Sequence, residues 1–205
     1  MLETRRCYGS VSSPFWGEVC IVGGGLSVED VPISFLRRQP RLLFVNDSAL
    51  RLSSLAPDAA VFSLDHNWVR RNRGFLLEFP GEKFVALPLE TWPECAAIPG
   101  VTYLQWSLAE GLSADPTTIC TGGNSGYGAL NLAFLKGCRK IYLLGYDMDP
   151  AQDDKFFYWI PRFRRAAEQL RERKVEVWNL NPDSHLDAFP KAQISDFSDF
   201  RVPGV

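Results

Sequence analysis

Five short apolar runs divide this chain, and each stops abruptly in a cluster of Gly, Asn, Asp or Ser. Glu18 to Val22 ends in Gly23-Gly24-Gly25, Leu42 to Val45 in Asn46-Asp47-Ser48, and Ala59 to Leu64 in Asp65-His66-Asn67. Lys140 to Leu144 runs into Gly145 through Asp149, and Val175 to Leu180 closes in the polar stretch Asn179 to Ser184. The runs are continuous rather than alternating. A strand with one wet face alternates apolar and polar residues, whereas a strand covered on both faces is apolar throughout. The pattern therefore predicts parallel strands sandwiched between helices, with the polar clusters gathered at the strand ends.

The intervening segments supply the helices. Ser27 is placed to cap a helix after the first glycine turn, with Asp30 in the acidic position of a capping box. The clearest unit is Thr118 to Cys120 as a strand end, the turn Thr121-Gly122-Gly123-Asn124, a helix from Ser125 to Lys136 stopped by Gly137, and the strand Lys140 to Leu144. Phe163 to Arg173 reads as an amphipathic helix, with Phe163, Ala166, Ala167 and Leu170 on one stripe; Ala151 to Lys155 before it reads as a short exposed connection. Phe75 to Phe79 and Lys83 to Leu87, parted by Pro80-Gly81, read as short strands near an edge. Between Pro88 and Pro116 only a strand at Val101 to Trp106 can be placed. The expected architecture is α/β: a single Rossmann-like three-layer domain over residues 1–205 with a mostly parallel central sheet. It carries an irregular lead-in at 1–17, an irregular insert at 88–116 and a C-terminal tail at 190–205.

Composition narrows the function classes. At 205 residues, with 46% hydrophobic and 22% charged, the chain can bury a core without disulfides or metals. The net charge of −2 and the lack of long like-charge runs show no footprint for duplex nucleic acid. Arg70, Arg71 and Arg73 form a local cluster that either faces a phosphate or lies on a solvated turn. The five cysteines at 7, 20, 95, 120 and 138 form no CxxC pair, so no metal site is expected and a reducing cytoplasm is the expected location. No stretch reaches the roughly 20 apolar residues of a membrane span, and the N-terminus has no signal-peptide apolar region. Neither G-x-S-x-G nor H-E-x-x-H occurs, which disfavours covalent hydrolase chemistry.

In an open parallel sheet, ligands bind outside the carboxyl ends of the strands. Gly23, Gly24, Gly25 and Ser27 let backbone approach an anion at a helix start, which suits a phosphate as well as a simple tight turn. Val28 stands at the third glycine place of G-x-G-x-x-G, and the lysine of a P-loop is missing. Thr121, Gly123, Asn124, Ser125 and Gly126 form a second glycine-rich helix entry; alternatively Gly126 and Gly128 serve close helix-to-sheet packing. Asp147 and Asp149 are placed to bind a hydroxyl, orient a base or hold a hydrated Mg²⁺, or simply to cap a helix. Asp65 and His66 are the remaining acid and base candidates.

Taken in order, four segments resemble a known group: Ile21 to Ser27, Phe44-Val45-Asn46, Thr121 through Ser125-Gly126-Tyr127 to Asp147, and Trp178 to Leu186. They are similar to the superfamily of bacterial sialyltransferases and MptE-like 6-hydroxymethylpterin pyrophosphokinases, a pattern also carried by small phage and prophage proteins. The resemblance spans about Cys20 to Phe189. It implies a Rossmann-like fold holding a nucleotide across the strand ends, with CMP-sialic acid or ATP as examples of the donor. It implies nucleotide contacts at Gly23 to Ser27 and Asn46, phosphate or sugar contacts at Ser125-Gly126, and a base or ribose side closed by Asn181 to Ser184. The sequence departs from the family at Gly24 and Leu26, where Gly-x-Gly-Pro-Ser with Asn at the second place is usual. It also has a short connector with Tyr158, Arg162 and Arg164 nearby as phosphate candidates, in place of a longer lid with tyrosines and a histidine base. The expected function is a nucleotide-dependent transferase, glycosyl transfer leading and diphosphoryl transfer with Mg²⁺ next. The rival is a non-catalytic nucleotide-binding or assembly protein. A homo-oligomer in which a neighbouring chain completes the lid stays open.

Overall fold

Eight strands build one sheet in which every neighbouring pair is parallel. The computed structural model describes residues 8–12, 15–88 and 98–197. Parts of the expected lead-in, insert and tail (1–7, 13–14, 89–97 and 198–205), with Cys7 and Cys95, lie outside the described residues. The strands are β1 Glu18–Val22, β2 Leu42–Val45, β3 Ala60–Ser63, β4 Glu82–Leu87, β5 Val101–Ser107, β6 Thr118–Cys120, β7 Lys140–Leu144 and β8 Glu176–Asn179. Their order across the sheet is β6-β5-β4-β3-β2-β1-β7-β8. Among the described residues the α-helices are α1 Ile33–Arg37, α2 Asp47–Leu52, α3 His66–Arg71, α4 Arg73–Glu78, α5 Ser125–Leu135 and α6 Lys155–Glu172.

The continuous apolar runs are explained by two cores, one on each face. In β1, Val19 and Ile21 pack with residues of α5 and α6, while Cys20 and Val22 pack with Phe35 and Leu36 of α1 and Trp68 of α3. Strand residues alternate between faces, so a strand covered twice has no polar phase. The α5 helix carries the chain from β6 at the sheet edge to β7 in its interior and packs on β6, β3, β2 and β1. Its residues from Tyr127 to Ala133 are all buried, which is why its apolar residues do not sort onto one side.

Several expectations are corrected. Phe75 to Phe79 is not a strand: Arg73–Glu78 is helical, with the amides of Leu76 and Phe79 donating to Asn72 and Phe75 four residues back. Pro80-Gly81 thus follows a helix rather than parting two strands. The neighbouring strand β4 lies inside the sheet, not near its edge, because β5 and β6 add beyond it. Ser27 caps no helix. Leu26–Asp30 is a single 3₁₀ turn entered from Gly25, and the serine is drawn to Asp147 instead. Finally, α6 begins at Lys155, well before Phe163, with Pro161 inside it.

The rim opposite the strand C-termini is pinned by a buried cation. Lys136, 1% exposed, places Nζ 2.6 Å from Glu82 Oε1 and 3.0 Å from the Ser12 carbonyl, over the rings of Trp16 and Phe84. Trp16 Nε1 donates to the second Glu82 oxygen at 3.0 Å. A buried ammonium is tolerated only with such compensation, and here it ties the lead-in to β4.

Candidate functional site

The chain leaves β1 toward β2 on one side, while β7 and β8 lie on the other. Connections diverge between β1 and β7, and a crevice opens at the carboxyl ends there. Register keeps these ends level, since Val22 stands opposite both Phe44 and Leu144. The crevice is a cavity of about 800 Å³, within the size range of small-molecule sites. Gly24 and Gly126 both line it, so the two glycine-rich entries share one rim.

At the seam of β1 and β7 the backbones nearly touch. The Gly23 amide donates to the Leu144 carbonyl at 2.7 Å and the Gly25 amide to Gly145 at 3.0 Å. A Cβ on Gly23 would stand 2.7 Å from the Gly145 oxygen, and one on Gly25 would stand 2.6 Å from Asp147 Oδ2. A Cβ on Gly24 would meet nothing within 4 Å. Asp147 lines the cavity, but its carboxylate accepts from the Ser27 amide (2.9 Å), the Ser27 hydroxyl and Asn181 Nδ2 (2.8 Å). It clips three strand ends together. Ser184, 2% exposed, donates to the Tyr146 carbonyl and accepts from Asn179 Nδ2 at 2.8 Å. Ser27, Asn181 and Ser184 therefore brace the turn and do not line the cavity, because their polar atoms are spent behind it.

On the other side, Asn46 adopts a left-handed backbone (φ +53°) and donates from Nδ2 to Ser125 Oγ at 3.1 Å. Asn124 caps α5, its Oδ1 accepting from the Tyr127 amide at 2.8 Å. Asn46 Oδ1 and Asn124 Nδ2 are buried without a partner, an acceptor and a donor in the cavity wall. Gly123 lines the cavity, whereas Thr121 is wholly buried, its hydroxyl directed to the Ser107 carbonyl. Packing governs Gly126 and Gly128: a Cβ would stand 3.0 Å from the Tyr146 ring and 2.8 Å from the Phe62 ring. Burial pushes the Tyr146 phenol up, and its hydroxyl donates to the Gly126 carbonyl at 2.9 Å.

The acid and base candidates are only partly gathered. Asp65 lines the cavity, but its carboxylate caps α3 through the Trp68 amide at 3.0 Å. Asp47, also lining, accepts from Trp68 Nε1 at 2.7 Å. His66 opens α3 outside the lining residues. Asp149 accepts from the Ala151 amide, and His185 lies 3.9 Å from it, both away from the lining. Among the described residues no group of three or more His, Cys, Asp and Glu side chains gathers as a metal cluster. Arg162 donates to the Gly122 carbonyl at 2.8 Å, Arg164 pairs with Asp187 at 3.0 Å, and Tyr158 is 72% exposed. None of these three lines the cavity.

Sequence reasoning missed Arg51 and the first half of α6. Arg51 reaches the cavity from α2 and pairs with Glu29 at 3.3 Å. Gln152, Phe156 and Trp159 form a further wall. The signal was present: Phe156, Ile160, Phe163, Ala167 and Leu170 recur at helical spacing, but Pro161 interrupts what otherwise reads as one helix.

No family model matches the chain, and no curated protein matches it in sequence. Among solved structures it is similar to the sialyltransferase CstII from Campylobacter jejuni in complex with the substrate analogue CMP-3FNeuAc, with 15% identity and a TM-score of 0.54 over 85% of this chain and 84% of that one. The same enzyme with cytidine-5'-monophosphate aligns at 14% identity and a TM-score of 0.50, over the same shares. The likeness is one of fold: a Rossmann-like layout with helices on both faces of a parallel sheet.

Proposed function

We propose that this protein binds a nucleotide in the cavity between β1 and β7 and acts as a nucleotide-dependent, glycosyltransferase-like transferase. One observation carries the reading: the glycine entries at Gly23–Gly25 and Gly123–Gly126 and the start of the eleven-residue helix α5 converge on a single cavity of about 800 Å³. The fold neighbour's structures hold CMP and a CMP-sugar analogue, which supports a nucleotide-sugar as donor. Gly24 leaves room for a phosphate, while the positive end of α5 and Arg51 offset its charge. Asn46, whose Oδ1 is buried without a partner, and Ser125 beside it would meet sugar hydroxyls.

A second reading, binding without turnover, is favoured by the state of the acids. Asp47, Asp65 and Asp147 all accept hydrogen bonds from the protein, and both histidines lie off the cavity. Diphosphoryl transfer from ATP is the third case and would depend on Mg²⁺. A thermal-shift screen over CMP, CTP, UDP-sugars and ATP, with and without Mg²⁺, tests all three. A ligand at 100 times its Kd adds about 2.7 kcal/mol. Stabilisation with release of the donor's sugar supports the transferase, stabilisation with an intact donor supports the binding module, and a Mg²⁺-dependent ATP effect supports the kinase. Absence of any nucleotide effect overturns the proposal.

A further inference from the structure

One wall of the cavity is not made by the strand-end turns. Phe156 and Trp159, neighbours across one turn of α6, line it with half-buried rings set edge to face, 5.7 Å apart at 70°. Trp159 adjoins the second glycine entry: its Nε1 lies 3.4 Å from where a Gly123 Cβ would stand, beside the Arg162 guanidinium bonded to Gly122. The third lining ring, Tyr146, is 2% exposed and offers no open face. Trp159 thus gives the cavity a half-buried aromatic surface. That surface gains most from a planar ring laid against it.

Asn181 to Ser184, the segment expected to close the base side, is turned away and leaves α6 as the aromatic wall. Arg51 and the start of α5, which Trp159 adjoins at Gly123, supply the positive charge that favours an anion in the same cavity. A ligand that carries both a phosphate and a heteroaromatic ring matches this combination of surfaces.

We infer that Trp159, with Phe156 against its edge, is the stacking platform for the heteroaromatic ring of the bound nucleotide, an assignment that rests on the nucleotide reading above. Stacking tolerates any base, because every base has a π-face. The site therefore selects for the presence of a base more than for its identity.

Calorimetric titration of the full chain with CMP, AMP and base-free ribose 5-phosphate tests this. Wild type is expected to bind both nucleotides at least tenfold tighter than ribose 5-phosphate. Trp159→Ala erases that margin and leaves ribose 5-phosphate binding unchanged, while Trp159→Phe keeps most of it. Nucleotide quenching of tryptophan emission, present in wild type, disappears in the Phe variant although it still binds, a signature that a packing role would not produce. Circular dichroism checks that the Ala variant folds, and the Phe variant's quenching decides if it does not. Nucleotide binding by Trp159→Ala equal to wild type, or wild-type affinity for ribose 5-phosphate equal to that for CMP, overturns the stacking assignment and spares the pocket. Failure of all three ligands to bind wild type overturns the pocket as well.

Discussion

Gly24 and Gly25 are adjacent and chemically identical, yet they answer to different demands. Gly25 is set by the protein, because any Cβ there would run into Asp147 and the Gly145 carbonyl. Gly24 faces open space in the cavity, so its missing side chain serves whatever enters. Gly25→Ala is expected to cost about 2 kcal/mol, read as a lower urea midpoint, since neither backbone nor the clipped carboxylate can yield. Gly24→Ala should leave stability within about 0.5 kcal/mol and weaken nucleotide binding by calorimetry. Equal stability losses in the two variants would contradict the geometry. Asp147 answers to both demands at a side chain: it lines the cavity, and its carboxylate accepts from three donors that tie the strand ends together.

At the scale of elements, α5 and α6 build the walls of the cavity, and each has a testable weak point. Asn124 caps α5 through the Tyr127 amide, so Asn124→Ala should lower stability by about 1 kcal/mol and reduce the thermal midpoint. Pro161 lies in the interior of α6, is exposed, and can donate no hydrogen bond to Phe157. Pro161→Ala should raise stability by about 1 kcal/mol in denaturant titration, the helix gain exceeding the entropy returned to the unfolded chain. A loss of stability would mean that the proline sets a bend on which the Trp159 wall depends. This residue also explains why half of α6 was illegible: a proline normally ends a helix, and only contacts with the sheet show that this one does not.

Over the whole molecule, the two cores trap ionisable groups in neutral form, and that gives the fold a directional pH response. Burial pushes the Cys138 thiol up to about 12 and the Tyr127 phenol up to about 12, and raises Cys20 further. A raised folded-state pKa means that the native state keeps its proton after the unfolded chain has released it, so stability falls as pH rises. The contribution is intact below about pH 9 and is lost between about pH 9 and 12. Urea midpoints measured from pH 8 to 11 should therefore decline, with a limiting slope of about 1.4 kcal/mol per pH unit for each such group. Cys138→Ala should flatten the decline.

The parallel sheet, its two covered faces and the glycine turns at strand ends were readable in the sequence, because they follow from local rules. Side-chain period and backbone freedom act over a few residues, so Leu42 to Val45 and Lys140 to Leu144 appear in the structure where the apolar runs put them. Which polar residues face the cavity was decided only in three dimensions. Ser27, Asn181 and Ser184 met partners 120, 34 and 38 residues away and do not line the cavity, while Arg51 and Trp159 do. Hydrogen-bond competition and wall placement depend on which strand ends become neighbours, and that is a property of the strand order, which no local pattern encodes.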